Sequence, residues 1–343
     1  MRRYVRALRT EIQILASAPW ASALSLETVF FGGGTPSLLS AEDMAAILED
    51  VRARFALTRD AEVTVECNPE SVTREKLQAY REAGVNRISL GVQSLDDSLL
   101  PVLGRLHDAS GARRAFEAVR AAGFDNVSVD LMYGLPGQSP QTWTQSVHGV
   151  LGWEPEHLSA YGLTLDAGSV WASTGVEGLP AESAVVEQYW TLARAAAARG
   201  LEHYEISNYA RPGFRSRHNQ IYWRAAEYLA CGPGACGFVG DVRYANIKAV
   251  ARYCATLETG ALPIETAERL TTRQRLGERL ILGLRLVDGV PRAWLDERAA
   301  GEPALARHVA AWREASVLVD RADRVVLTEA GFLLSDSIFV ELV

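Results

Sequence analysis

Glu66, Gln93 and Asp130 stand near the ends of three apolar runs, AEVTVECN, NRISLGVQ and NVSVDLMYG, and a fourth run, TVFFGGG, ends in Gly32, Gly33 and Gly34. A carboxylate at the end of a buried run is costly unless it is paired, so Glu66 and Asp130 call for a cation or for hydrogen-bond donors. An arginine such as Arg87 or Arg105 would satisfy either one alone. Three polar ends beside a glycine turn suit instead a ligand that carries an ammonium group, a carboxylate and ribose hydroxyls. The turn itself, within VFFGGGTPSLLS, is not a triphosphate cradle, because Thr35, Pro36 and Ser37 stand where a lysine followed by Ser or Thr would be needed. Gly32, Gly34 and Ser37 also fail the third position of the dinucleotide fingerprint. Glycines leave backbone N–H and carbonyl groups open to a close ligand, and Pro36 stiffens the exit. A bare βα turn is the other reading of GGGTP.

The elements that must position these residues follow from the pattern around them. From residue 28 on, β-rich runs alternate with helical patterns, the last being HLSAYGLTL and EHYEISNYA, which predicts βα units and a parallel sheet of the α/β class. Ser40 with Asp43, and Ser139 with Pro140, mark helix starts. In parallel α/β folds ligands sit at the carboxyl ends of strands, so GGGTP, ECNPE, GVQS and DLMYGLPG should converge. Residues 211 to 240 read as loops and turns. A strong helix follows in TTRQRLGERLILGLRL, with Leu276, Leu280 and Leu284 on one face. The tail, ALARHVAAWREASVL and then RVVLTEAGFLLSD, reads as a small helical appendage with a short hairpin, winged-helix-like.

Net charge is −7 and the arginines are scattered, which disfavours nucleic acid and anionic membranes and leaves small molecules or proteins as partners. No apolar run is long enough to span a membrane. Glu11 and Gln13 interrupt what would be a signal-peptide core, while Tyr4, Leu8, Ile12 and Leu15 repeat at helical spacing, so the N-terminus is expected to be a helix of a cytoplasmic protein. Cys67, Cys231, Cys236 and Cys254 are too few and too unevenly spaced for a disulfide framework. Cys231 and Cys236, in C-x4-C spacing with His218 in the same region, sketch a zinc or cluster site but supply only one loose pair. His218, in HNQIYW, reads either as a haem-iron ligand with Tyr222 and Trp223 stacked on a porphyrin, or as a hydrogen-bonded histidine with the aromatics packed inward. His107, His148, His157 and His203 have no partner motif and read as structural.

In order and spacing, FGGGTPSLLS, ECNPE, GVNRISLGVQSLDDSLLPVLGRLHD, SVDLMYGLPGQ and HNQIYW resemble the radical S-adenosylmethionine (SAM) proteins related to oxygen-independent coproporphyrinogen III oxidase, and their wording is similar to the HemW-type haem chaperone branch. The resemblance implies a partial parallel (β/α) barrel over residues 1–240, followed by a helical HemW-type domain over 241–343. It implies that Gly33, Gly34 and Thr35 line the methionyl end of SAM, that Glu66 accepts from its amino group, that Gln93 and Arg105 reach its polar groups and that Asp130 meets the ribose. The implied cofactors are SAM, haem and a [4Fe-4S] cluster; the implied partners are haem or porphyrin and a haem-acceptor protein.

The family holds its cluster through a C-x3-C-x2-C loop, and this chain has no such spacing, so the cluster's metal ligands and radical chemistry are not expected from these residues. The expectation is that the loop precedes residue 1, in a longer product of the same gene. The implied function is haem delivery to acceptor proteins. The alternatives are the radical decarboxylation of propionate side chains by a coproporphyrinogen oxidase, and a cluster-free SAM- or haem-binding relative.

Overall fold

The computed structural model describes residues 1–165 and 170–342. Residues 28–44 and 62–216 form one compact unit; residues 1–27 and 45–61, together with the chain from Arg217 onward, form the other. The boundary expected at residue 240 therefore falls within the last segment of the second unit.

The first unit holds most of a seven-stranded sheet of β1 (Ser25–Phe31), β2 (Ala56–Cys67), β3 (Arg87–Gln93), β4 (Val127–Tyr133), β5 (His157–Gly162), β6 (Glu202–Glu205) and β7 (Asn208–Ala210), in the order β1-β2-β3-β4-β5-β7-β6. β2 through β5 are parallel neighbours. EHYEISNYA, expected as one further parallel strand, is instead an antiparallel hairpin: β7 runs against β5, and β6 runs against β7. Only Ile206 and Ser207 separate β6 from β7, far too little chain for the crossover that a parallel pair needs.

Alternation decides what each strand presents. In β3 every residue is buried, with Ile88, Leu90 and Val92 on one face and Arg87, Ser89, Gly91 and Gln93 on the other. The apolar face packs under the helix Ala109–Ala121, whose N-cap Asp108 accepts the Gly111 N–H at 2.6 Å. The two expected helix starts are present. Ser40 accepts the Asp43 N–H at 3.1 Å, and Ser139 caps Pro140–Leu151 by accepting from Thr142. Tyr80, fully buried, donates its hydroxyl to the Leu39 carbonyl at 2.7 Å and so ties the segment after β1 to the helix after β2.

In the second unit the helix Arg2–Ala16 follows the Tyr4, Leu8, Ile12, Leu15 spacing and packs its Ala7 against Tyr253, Cys254 and Leu257 of the helix Val250–Glu258. β8 (Cys236–Val239), β9 (Val242–Asn246) and β10 (Ile264–Arg269) make one antiparallel sheet; β11 (Val290–Pro291), β12 (Leu318–Arg321) and β13 (Arg324–Leu327) make another. The helix Thr272–Gly283 carries a full capping box from Thr271 and Gln274, and the tail helix Pro303–Glu314 with the β12–β13 hairpin matches the sequence reading. Between residues 211 and 240 the chain is more ordered than expected: RHNQIYW is a helix, Arg217–Trp223, and β8 follows the glycine-rich loop.

Candidate functional site

Strand register brings the polar residues of the first unit onto one surface. Glu66 lies opposite Ser89, Ser89 opposite Ser128, and Ser128 opposite His157; Gly91, Asp130 and Ser159 form a second row. Cα partners in a parallel sheet point to the same side, so all of these share a face. The glycine turn closes on that face, because the Gly33 N–H donates to Glu66 Oε2 at 3.1 Å. Gly33 has φ +103, which an L side chain rarely adopts, and a Cβ on Gly33 or Gly34 would meet nothing within 4 Å. The turn thus leaves backbone facing open space beside a carboxylate.

The other candidates join through short contacts. Arg105 donates to Asn68 Oδ1 at 2.8 Å, and Asn68 donates to the Thr35 hydroxyl at 3.4 Å. Gln93 sits where the β3–β4 register breaks and has φ +67, a left-handed conformation uncommon for a side-chain-bearing residue. The bulge turns Gln93 back across the sheet, so that a Cβ added to Gly91 would lie 3.0 Å from its Nε2 and 3.4 Å from Asn68 Oδ1. Gly33, Thr35, Glu66, Asn68, Gln93 and Arg105 therefore lie together, with Asp130 in the adjacent row.

Burial sets the electrostatics. It pushes the Glu66 carboxyl up to about 7, the Asp130 charge adds to the rise, and the Gly33 N–H opposes it. Asp130 is also raised by burial, against hydroxyl donors from Ser159, Ser89 and Ser128 and the charge of Arg87. Ser89 Oγ is 3.1 Å from both Asp130 oxygens. Arg105 donates to Asn68 rather than to a carboxylate, while Arg87 acts on Asp130 through its charge; the hydrogen-bond donors are hydroxyls at Asp130 and backbone at Glu66. An ammonium group near Glu66 and hydroxyls near Asp130 would supply the donors that two neighbouring half-buried carboxylates call for. Donor and acceptor chemistry of this kind is compatible with SAM.

Ser89, Ser128 and Ser159 did not stand out in the sequence. Their signal is positional: each falls an even number of residues from a lumen-facing partner on its own strand, Ser89 with Arg87, Ser128 with Asp130 and Ser159 with His157.

The haem candidates lie in the second unit. His218 Nε2 is 2.7 Å from the Tyr222 hydroxyl, and the two rings meet edge-on with centroids 4.9 Å apart. Tyr222 in turn packs edge-on to Tyr228 at 4.5 Å. Trp223 has the Arg285 guanidinium 4.9 Å from its ring centroid, and its buried Nε1 lacks a hydrogen-bond partner. An imidazole donor is present, but Nε2 would have to exchange Tyr222 for iron, and Arg285 already covers Trp223.

The cysteines do not fit a cluster. Cys67 is buried, with its thiol pushed up to about 12 by burial, Cys254 is buried, and Cys231 is raised well above the usual thiol range. Cys236 alone is exposed. Among the described residues no three His, Cys, Asp or Glu side chains are gathered to hold a metal ion, so the zinc or cluster site sketched around Cys231, Cys236 and His218 does not form. No described helix is long and apolar enough to cross a membrane.

Comparison with known proteins places this geometry. The family model of the radical SAM superfamily matches residues 2–148. Heme chaperone HemW of Mycobacterium tuberculosis is 36% identical over 341 residues, 98% of this chain and 85% of the relative. Heme chaperone HemW of Bacillus subtilis is 34% identical over 323 residues, 92% of this chain and 84% of the relative. The structure of coproporphyrinogen III oxidase (HemN) from Escherichia coli, a radical SAM enzyme, superposes with a TM-score of 0.85 at 20% identity, over 99% of this chain and 82% of that one, a likeness of fold. Fold and similarity along nearly the whole chain agree: the chain belongs to the HemW family of the radical SAM superfamily.

Proposed function

We propose that this protein is a haem chaperone that binds SAM in its first unit and haem in its second, and hands haem to an acceptor protein. The observation that carries the SAM half is the pair of half-buried carboxylates, Glu66 beside the Gly33 N–H and Asp130 ringed by serine hydroxyls, on one face of the sheet. SAM brings a methionyl ammonium, a carboxylate and a ribose, which match Glu66, Arg105 with Gln93, and Asp130 in turn. A [4Fe-4S] cluster, when bound, would supply an electron to the SAM sulfonium, and the four cysteines of this chain are not arranged to hold one.

For haem, the supporting observations are the HemW relatives and the His218 imidazole on the helix Arg217–Trp223. His218 would bind iron through Nε2 by giving up its bond to Tyr222. Adding hemin to the purified protein should give a shifted Soret band whose position changes in His218→Ala. An identical spectrum in the two proteins would remove His218 as the ligand. Titration of S-adenosylhomocysteine, which has the same amino-acid and ribose ends as SAM, tests the other half; no saturable binding would overturn it.

A further inference from the structure

Behind Asp130 a buried hydrogen-bonded row leads away from the glycine turn. Ser128 Oγ lies 3.4 Å from Asp130 Oδ1 and 2.8 Å from His157 Nδ1. His157 Nε2 is 2.8 Å from the Tyr204 hydroxyl, which accepts the Ser216 backbone N–H at 3.2 Å. Ser128 and Tyr204 are fully buried, and His157 and Ser216 are 1% exposed. A row this dry has no water with which to satisfy a misplaced proton, so its direction is set by its own valences.

The Tyr204 oxygen already accepts from Ser216, and the acceptor within reach of its proton is His157 Nε2. Nε2 therefore carries no hydrogen, and Nδ1 carries the ring's proton and donates it to Ser128 Oγ. Burial holds the ring neutral, so a second ring proton does not intervene. With its oxygen taken by Nδ1–H, Ser128 has two acceptors at 3.4 Å, Asp130 Oδ1 and the Ser159 hydroxyl; Ser159 itself hydrogen-bonds Asp130, and the carboxylate, the stronger acceptor, takes the Ser128 proton. Ser89 adds a second hydroxyl against the carboxylate from the neighbouring strand.

We infer that Tyr204 and His157 are positioning residues for Asp130: by fixing the His157 tautomer they keep the Ser128 proton on Oδ1 and hold the carboxylate in the orientation in which it accepts the ribose hydroxyls of a nucleoside ligand. The inference rests on reading Asp130 as the ribose acceptor. The row serves ribose recognition, and in doing so reaches from β4 through β5 and β6 to Ser216, the end of the first unit. Tyr204→Phe removes the proton that fixes the tautomer. The ring is then free to carry its hydrogen on Nε2, and Nδ1 becomes an acceptor that draws the Ser128 proton off Asp130. Ser128→Ala cuts the row at its last link and leaves the ring and Tyr204 in place.

The test is calorimetric titration of the full chain with S-adenosylhomocysteine and with its 2′-deoxy counterpart, alongside melting curves. The wild type should prefer the ribose form by at least tenfold, the weight of one charge-assisted hydrogen bond. Tyr204→Phe and Ser128→Ala should each shrink that preference by about fivefold or more, while affinity for the 2′-deoxy ligand stays within about twofold of wild type. A purely structural row would lower melting temperature or both affinities together and leave the preference intact, which would overturn the inference. Asp130→Asn separates the two levels. If it abolishes the preference while Tyr204→Phe and Ser128→Ala leave it untouched, only the positioning role fails. If it leaves the preference at the wild-type value, or if the wild type binds neither ligand, the reading of Asp130 fails first.

Discussion

Glu66→Gln should make the ligand-free protein more stable at pH 8 and cost it its nucleoside binding. The Glu66 carboxyl, ordinarily near 4.5, is held at about 7 in the folded protein by burial and by the charge of Asp130. Between those two values the folded protein keeps a proton that the unfolded chain has released, so stability falls as pH rises through the window and levels off above it. A difference of that size corresponds to about 3 kcal/mol at most, part of which relaxes as Asp130 adjusts. Glutamine retains an oxygen for the Gly33 N–H, 3.1 Å away in the wild type, and removes the charge that faces Asp130. Thermal melting of both proteins at pH 8 should therefore favour the variant by several degrees, and the gap should close by pH 4.5, where both side chains are neutral. Titration with S-adenosylhomocysteine at pH 8 should show binding to the wild type and little to the variant, which cannot pair with the ammonium. A variant no more stable than wild type at pH 8, or one whose advantage is the same at pH 4.5, would refute the account of Glu66.

The same carboxyl makes wild-type affinity for S-adenosylhomocysteine pH-dependent: it should fall by up to about tenfold per pH unit below 7, because the ligand's ammonium needs the ionised form. A flat profile between pH 8 and 5 would place the ammonium elsewhere. Gln93→Gly should relieve a left-handed backbone at φ +67 and leave the melting temperature unchanged or raised, while weakening ligand binding measurably in the same titration. Glu11→Ala should destabilise the second unit by about 3 kcal/mol or more, since the Gly232 N–H at 2.8 Å, Asn246 Nδ2 at 2.6 Å and the Tyr253 hydroxyl at 2.5 Å would all lose their acceptor. Limited proteolysis around residues 231–236 should report that loss.

Much of the site was legible because its residues sit at strand ends, where alternation of apolar and polar types breaks. Glu66 and Asp130 interrupt runs that are otherwise largely apolar, and the cost of burying them announces a partner. The hydroxyls that solvate Asp130 were harder to see. A serine in a strand is unremarkable until register sets Ser89 and Ser159 on the strands either side of Asp130 and Ser128 two residues before it, and register is a property of pairs of strands rather than of one run. From sequence alone His157 reads as structural for the same reason: its partners, Ser128 and Tyr204, are 29 and 47 residues away in the chain. The β6–β7 hairpin is hidden in the sequence because EHYEISNYA has the composition of one strand, and only the geometry of a two-residue connection forces it to double back. The helix at RHNQIYW lies in a stretch whose Gly and Pro content suggested loops, yet its seven residues contain neither.

The Glu66 carboxylate on the sheet face has a consequence for competition inside a cell. In the proposed reading, adenine and ribose are parts that SAM shares with adenine nucleotides, so recognition of those parts alone would not tell the two apart. The ionised Glu66 carboxylate, beside the Gly33 N–H, would lie against the tail of the ligand. A phosphate chain would meet repulsion there and an amino-acid tail attraction, so above about pH 7 the sign of one charge would separate them without a steric gate.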